Sequence, residues 1–381
     1  MGYQRLLDLR KDIEQKSLFL FGPRQTGKTF LLHTQFPKAP FYNLLQADTF
    51  YQLSQRPQLI REEQMGLRNT AKQPIIIDEI QKLPILLDEV HTMIESTGQH
   101  FILTGSSPRK LLRGGANLLG GRAWTRHLFP LVSKEVKGYD LLRILNYGSL
   151  PFVYDAKDPE QELESYVGNY LKEEIQAEGL VRKVEQFARF LQTASLVNTE
   201  LLNFSNVASD AGVPPRTIRE YFGILQDTLV GSLLTPYVKT QKRKAIETAK
   251  FYFFDIGVCN MLAGRKQIRP KTELFGKAFE HLVFLELKAF MAYHKDKRGL
   301  SFWRSTAQHE VDFLIGDEIA IEVKGTEQVS EKHAKGLVAL SEDIKLKQKI
   351  IVSMDHKPRK MGDVWIYPLP YFLERLWAKE F

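Results

Sequence analysis

Residues 17–29 read Ser17-Leu18-Phe19-Leu20-Phe21-Gly22-Pro23-Arg24-Gln25-Thr26-Gly27-Lys28-Thr29, and the apolar-rich Phe30-Leu31-Leu32 follows. A short apolar run, a glycine loop and a second apolar stretch predict a buried strand, a tight loop and a helix. The loop has the spacing GxxxxGKT. In that spacing Gly22, Pro23, Arg24, Gln25, Thr26 and Gly27 wrap a phosphate with backbone amides and the helix N-terminus, Lys28 reaches the outer phosphates, and Thr29 holds magnesium. ATP and Mg²⁺ are the expected cofactors. Working outward, Ile75-Ile76-Ile77 follows Pro74 and stops at Asp78-Glu79, and Phe101-Ile102-Leu103-Thr104 stops at Gly105-Ser106-Ser107. Both read as buried parallel strands that deliver polar residues at their carboxyl ends. Asp78 is placed to hold magnesium through water, and Glu79 to orient and deprotonate an attacking water. Ser106, with Thr104 as the second choice, is placed to sense the γ-phosphate, against the plainer role of a capping serine. Arg109, Arg113, Arg122 and Arg126 lie beyond it, and one of them is expected as an arginine finger. With a helix over Pro84 to Ser96 and a further strand over Leu128 to Leu131, residues 1–139 read as an α/β nucleotide-hydrolysing domain.

The chain has 381 residues, which suggests two or three domains. Its 43% hydrophobic and 26% charged residues exclude a disordered or fibrous chain. The single cysteine, Cys259, rules out an internal disulfide or a multi-cysteine zinc site. The opening Met-Gly-Tyr-Gln has no basic stretch leading into an apolar one, and no apolar run approaches the roughly 20 residues of a membrane span, so a cytoplasmic protein is expected. Lys and Arg number 53 against 45 Asp and Glu, a net +8 that leans toward a polyanionic partner such as DNA.

From 140 to 248 the pattern turns helical. Asn206 to Pro214, then Arg216 to Leu225, with Gly212 between and Ile218, Phe222 and Leu225 at helical spacing, predict a winged helix-turn-helix. Arg216 and Arg219 stand early on its second helix, where DNA-reading residues sit, although such a unit also serves as a packing element. Lys239, Lys242, Arg243 and Lys244 are further candidates for phosphate contact. Residues 249–381 read as a second α/β unit: a helix from Glu273 to Tyr293, strands Ser301 to Arg304, His309 to Ile315 and Ile319 to Val323, a helix near Glu331 to Ser341, a strand Lys349 to Ser353 and a terminal amphipathic helix. Gly316-Asp317-Glu318 marks a hairpin. Alternation puts Glu322 and Lys324 on one face, and the hairpin brings Asp312 beside them. Two carboxylates and a lysine suit a divalent metal, Mg²⁺ or Mn²⁺, and a water held against a scissile phosphate, with Glu280 on the long helix as a third carboxylate. Glu310 and Asp317 are nearer alternatives for the metal, but they fall at a strand edge and a turn, where a solvated carboxylate is the plainer reading.

The sequence resembles bacterial and archaeal AAA-type P-loop ATPases of the branch that includes archaeal-type and STAND-like members, fused to a C-terminal domain of uncharacterised function. GPRQTGKT at Gly22 to Thr29, IIIDEIQKLP at Ile75 to Pro84, LTGSS at Leu103 to Ser107, GRAWTRHLFPL at Gly121 to Leu131 and KFYFFDIG at Lys250 to Gly257 carry the resemblance. It implies that Arg122 is the finger. The order helix-Glu, strand, strand-Asp, strand-Glu-x-Lys, helix, strand also resembles the restriction-endonuclease-like fold with its PD-(D/E)xK motif, with Val311 where a proline often stands. Together these imply an ATP-hydrolysing, self-associating, DNA-associated protein whose nucleotide module controls a helix-turn-helix and a nuclease-like domain, with metal-dependent DNA cleavage. The alternative is a STAND-like nucleotide-driven switch acting on a protein partner, its nuclease fold inactive.

Overall fold

The computed structural model describes residues 2–66, 73–106, 108–109, 111, 119–171, 184–240 and 247–381. The chain divides into two compact units, Met1–Phe129 with Asp227–Leu229, and Pro130–Gln226 with Val230–Phe381.

The first unit is built on a parallel sheet of β1 (Ser17–Phe21), β2 (Phe41–Asn43), β3 (Ile75–Asp78), β4 (Phe101–Gly105) and β5 (Ala123–His127), in the order β2-β3-β4-β1-β5. β1, β3 and β4 are buried along their whole length because helices cover a parallel sheet on both faces, which is why they appear in sequence as unbroken apolar runs. α1 (Lys28–Gln35) follows the glycine loop, and α2 (Leu86–Thr97) connects β3 to β4. The edge strand is Ala123–His127 rather than the expected Leu128 to Leu131. An edge position leaves β5 half-covered, so it carries no apolar run to announce it. β1 lies between β4 and β5, and the ends of β1, β3 and β4 meet where an open α/β sheet binds its ligand.

In the second unit α3 (Phe204–Ala211) and α4 (Pro215–Asp227) flank Gly212, whose left-handed backbone (φ 66°) ends the first helix. β6 (Gly231–Leu234) and β7 (Lys250–Phe253) form a two-stranded antiparallel sheet after them. A six-stranded sheet then takes the order β12-β13-β11-β10-β9-β8, from β8 (Leu300–Arg304), β9 (Glu310–Ile315), β10 (Ile319–Lys324), β11 (Gln348–Ser353), β12 (Arg359–Met361) and β13 (Val364–Pro368). β8, β9 and β10 run antiparallel, and β10, β11 and β13 parallel. The long helix α5 (Glu273–His294) packs Phe279, Val283 and Leu287 into the same core as Phe313, Ile321, Ile350 and Val352. α6 (Lys335–Ser341) packs Leu337 and Leu340 with Leu314 and Ile351 in a separate core. The sheet is therefore covered by a helix on each face.

The pairing of β8 with β9 slips by one residue between Ser301 and Trp303, where β9 carries the extra residue in the stretch that holds Asp312. A bulge of this kind re-aims a side chain and breaks the ladder locally. The consequence is visible next door: Asp312 Oδ2 accepts the backbone N–H of Val323 at 2.8 Å.

Candidate functional sites

At the ends of β1, β3 and β4, the glycine loop is shaped by its neighbours. A Cβ on Gly22 would stand 2.4 Å from the carbonyl oxygen of Leu128, and Gly27 has φ 92°, so both glycines are required by the backbone path. The Thr26 hydroxyl donates to the Pro23 carbonyl at 2.9 Å, and the Arg5 guanidinium caps the loop from outside by donating to the Thr26 and Phe129 carbonyls. Arg24 and Gln25 stand on the outer side of the loop, Gln25 in a left-handed conformation. Lys28 is buried and donates to the carbonyls of Gly22 at 2.7 Å and Pro23 at 3.2 Å, so the loop's own oxygens solvate its ammonium.

Thr29 donates to Asp78 Oδ2 at 2.8 Å, which brings together the hydroxyl and carboxylate that the spacing assigns to magnesium. Their chemistry, hard oxygen donors side by side, fits that ion. Thr104 is fully buried and engaged twice: it donates to Asp78 Oδ1 and accepts the backbone N–H of Glu79 at 3.2 Å. That hydroxyl therefore fixes the end of β3, a use that the expectation of a γ-phosphate sensor did not include. Glu79 itself has a left-handed backbone, φ 63°, at the abrupt exit from the strand. Gln81, buried two residues on, donates Nε2 to Glu79 Oε2 and reaches Ser106 Oγ at 3.4 Å. Gln81 belongs to the DEIQ stretch, but spacing alone gave no reason to assign it a role. Arg122 donates to Glu95, and Arg126 to Asp12. Arg113 lies outside the described residues.

A second cluster is built in the other unit, where Glu280, Asp312, Glu322 and Lys324 come together as the sequence expects. They are joined by Glu310, the alternative ligand, and by Lys250 and Tyr252, which the sequence reading did not select. Lys250, at the start of β7 and only 3% exposed, places Nζ 2.6 Å from Glu310 Oε1, 3.1 Å from Glu280 Oε1 and 3.7 Å from Asp312 Oδ1. Glu310, expected to be solvated, also pairs with Arg304 at 3.2 Å. The Tyr252 hydroxyl donates to Glu280 at 2.6 Å. On the far side of Asp312, Lys324 lies 2.5 Å from Glu322 Oε1 and 4.0 Å from Asp312 Oδ2. The three carboxylates expected to share a metal are thus interleaved by two ammonium groups, and among the described residues no three Asp, Glu, His or Cys side chains converge as a ligand set. The expected ligand set of Glu280, Asp312 and Glu322 does not fit a divalent ion in this arrangement.

The electrostatics follow from burial and the charge order. Burial, reinforced by the charge of Asp312, holds the Glu322 carboxyl well above its usual range, and Glu322 Oε2 is buried with no hydrogen-bond partner. Burial likewise raises Glu280, with Lys250 pulling the other way. Burial alone would discharge Lys250, but the carboxylates of Glu280, Asp312 and Glu310 outweigh it and keep the ammonium charged. A cleft of about 350 Å³ opens onto this group, lined by Thr199, Lys250, Lys277, Glu280, Arg304 and Glu310 among others.

On the helix-turn-helix, Arg216 is 92% exposed and lies 3.6 Å from Glu220, and exposed Arg219 stacks over the Phe204 ring at 4.7 Å. Lys242, Arg243 and Lys244 lie outside the described residues.

Residues 14–137 match the family model described as an AAA domain. The matched stretch contains the glycine loop and the Asp78-Glu79 strand end described above. Residues 138–269 and 275–372 match two further models, each described as a domain of unknown function (DUF8612 and DUF4143). No curated protein matches the chain. Among solved structures, a STAND protein (signal transduction ATPase with numerous domains) with a tetratricopeptide repeat sensor from Pyrococcus horikoshii is similar at 17% identity and a TM-score of 0.24 over 75% of this chain and 46% of that one. The ORC1 protein from Aeropyrum pernix, solved in complex with DNA, is similar at 13% identity and a TM-score of 0.25 over 65% of this chain and 86% of that one. The chain spans about half the length of the first of these. Among the described residues of either unit, no helix is long and apolar enough to cross a membrane.

Proposed function

We propose that the chain is an ATP-hydrolysing, DNA-associated nucleotide switch. The observation that carries this reading is the chain of contacts Thr29–Asp78–Thr104–Glu79–Gln81–Ser106 across the ends of three parallel strands. Lys28 exchanges the carbonyls of Gly22 and Pro23 for the outer phosphates of ATP, a charge-assisted contact that replaces two weaker ones. Thr29 and Asp78 are the residues that would hold Mg²⁺, which would supply positive charge against the phosphates during hydrolysis. Glu79 takes the proton of the attacking water, and Gln81 holds its carboxylate until that water is in place. Ser106 reports the state of the γ-phosphate through Gln81. Arg122 completes the site from a neighbouring copy in a homo-oligomer.

The DNA role rests on the net charge of +8 and on Arg216 and Arg219 exposed on the first turns of α4, in the arrangement of a winged helix-turn-helix with β6 and β7 as the wing. For the C-terminal centre one observation favours the reading without cutting: the ammonium of Lys250 lies between Glu280 and Asp312, two of the three carboxylates assigned to a metal. The test is ATP turnover by the full chain with and without duplex, single-stranded and branched DNA, scoring strand breaks in Mg²⁺ and in Mn²⁺. DNA should stimulate turnover while every DNA form stays intact. Turnover indifferent to DNA would overturn the DNA role, and strand breaks lost in Glu322→Ala would restore Asp312, Glu322 and Lys324 to the catalytic roles first read from their spacing.

A further inference from the structure

The KFYFFDIG motif begins with Lys250, and nothing in ATP binding or DNA contact uses that residue. A lysine that is 3% exposed is uncommon, and it persists charged only where partners surround it. Here the partners are acidic side chains from two distant elements, Glu280 on α5 and Glu310 and Asp312 on β9. The bulge in β9 and the Val323 amide hold Asp312 in place. Tyr252, two residues beyond Lys250 on the same strand, donates to the same oxygen of Glu280 that Lys250 contacts. The ammonium thus has oxygens from three carboxylates within 3.7 Å, the surroundings of a bound cation rather than of a surface ion pair.

We propose that Glu280, Glu310 and Asp312 form a cation site whose resident cation is the chain's own Lys250 ammonium, delivered by β7 in place of a divalent metal. This rests on the non-cutting reading of the C-terminal centre and deepens it. The residue that would have to leave for a metal to enter is covalently part of the fold. Glu310, Glu280, Asp312 and Glu322 face Lys250, Arg304 and Lys324, so the cluster is already close to neutral and adding a divalent ion without removing Lys250 would leave excess positive charge in a buried place. Removing the ammonium reverses the balance: the carboxylates lose their shared partner, and a divalent ion becomes the means of neutralising them.

The test uses the full chain without nucleotide: wild type, Glu280→Gln, Lys250→Met, and Lys250→Met combined with Glu280→Gln. Bound Mn²⁺ is measured by electron paramagnetic resonance, and thermal unfolding is followed with and without Mn²⁺. Lys250→Met should bind one more Mn²⁺ per chain than wild type, unfold at a lower temperature than wild type in chelator, and recover stability in Mn²⁺. The double variant should lose both the extra ion and the recovery. Should Lys250→Met fail to fold in chelator, Lys250→Gln and refolding in Mn²⁺ take its place, and Mn²⁺ that rescues neither variant would overturn the proposal. A folded Lys250→Met with no extra Mn²⁺, or a wild-type chain whose bound Mn²⁺ disappears in Glu280→Gln, would overturn it as well. These readouts are separate from DNA cleavage: cutting by wild type would sink the non-cutting reading, whereas absent Mn²⁺ binding by the variants would sink only the cation-site proposal.

Discussion

A methyl group added at Gly22 has nowhere to go, because the atom 2.4 Å from it is backbone, the Leu128 carbonyl oxygen at the end of the neighbouring strand. Gly22→Ala should therefore shift the loop, cost about 1–3 kcal/mol of stability in urea titration and weaken ATP binding. Equal affinity and equal stability would mean that the loop relaxes freely. The same residue shows what is legible at this scale. The placing of Gly22, Gly27, Lys28, Thr29, Asp78 and Glu79 at one end of the sheet was readable because it is set by backbone shape and by position at a strand end, and both leave a fixed spacing. Gln81 and Lys250 were not readable as site residues. Gln81 acts through a turn that folds it back onto Glu79, and Lys250 meets Glu280 and Glu310 only after thirty and sixty residues of intervening chain have packed, a relation with no period or spacing of its own.

At the scale of elements, the buried strands β1, β3, β4, β9, β10 and β11 and the long helix α5 were legible because burial on one or both faces imprints a pattern. β2, β12 and β5 were not, since short or edge strands of three to five partly exposed residues carry no such pattern. The exposed face of α4 is tested by Arg216→Ala with Arg219→Ala. DNA affinity should fall, and the slope of log affinity against log salt should flatten by about 0.9 for each phosphate that is no longer neutralised. An unchanged slope would make α4 a packing element. α5 carries a second test through Glu286, which accepts Ser133 N–H at 2.7 Å, Ser133 Oγ–H at 3.0 Å and Trp377 Nε1–H at 2.7 Å. Burial pushes this carboxyl up to about 7 from an ordinary 4.5. The folded state then binds the proton more tightly than the unfolded state, so this group favours folding most at and below pH 4.5 and loses that contribution as pH rises to about 7. The loss amounts to ~3 kcal/mol as an upper figure. Urea unfolding between these limits should show wild type losing stability relative to Glu286→Gln as pH rises, and parallel curves would contradict the assignment.

For the whole molecule, the proposed supply of Arg122 by a neighbouring copy would make assembly part of the chemistry. Lys28→Ala and Arg122→Ala, each inactive alone, should recover some ATP turnover when mixed, since each copy keeps what the other lacks. No recovery in proven mixed oligomers would place Arg122 in its own subunit's site or outside the reaction. The proposed nucleotide switch rests on hydrolysis of ATP with Glu79 as the base. That claim is tested most directly by measuring ATP binding and phosphate release side by side in wild type, Lys28→Ala and Glu79→Gln. Lys28→Ala should lose binding, while Glu79→Gln should bind ATP as wild type does and release phosphate at least about 100-fold more slowly, the usual worth of a positioned general base. Phosphate release by Glu79→Gln at the wild-type rate would show that another group activates the water.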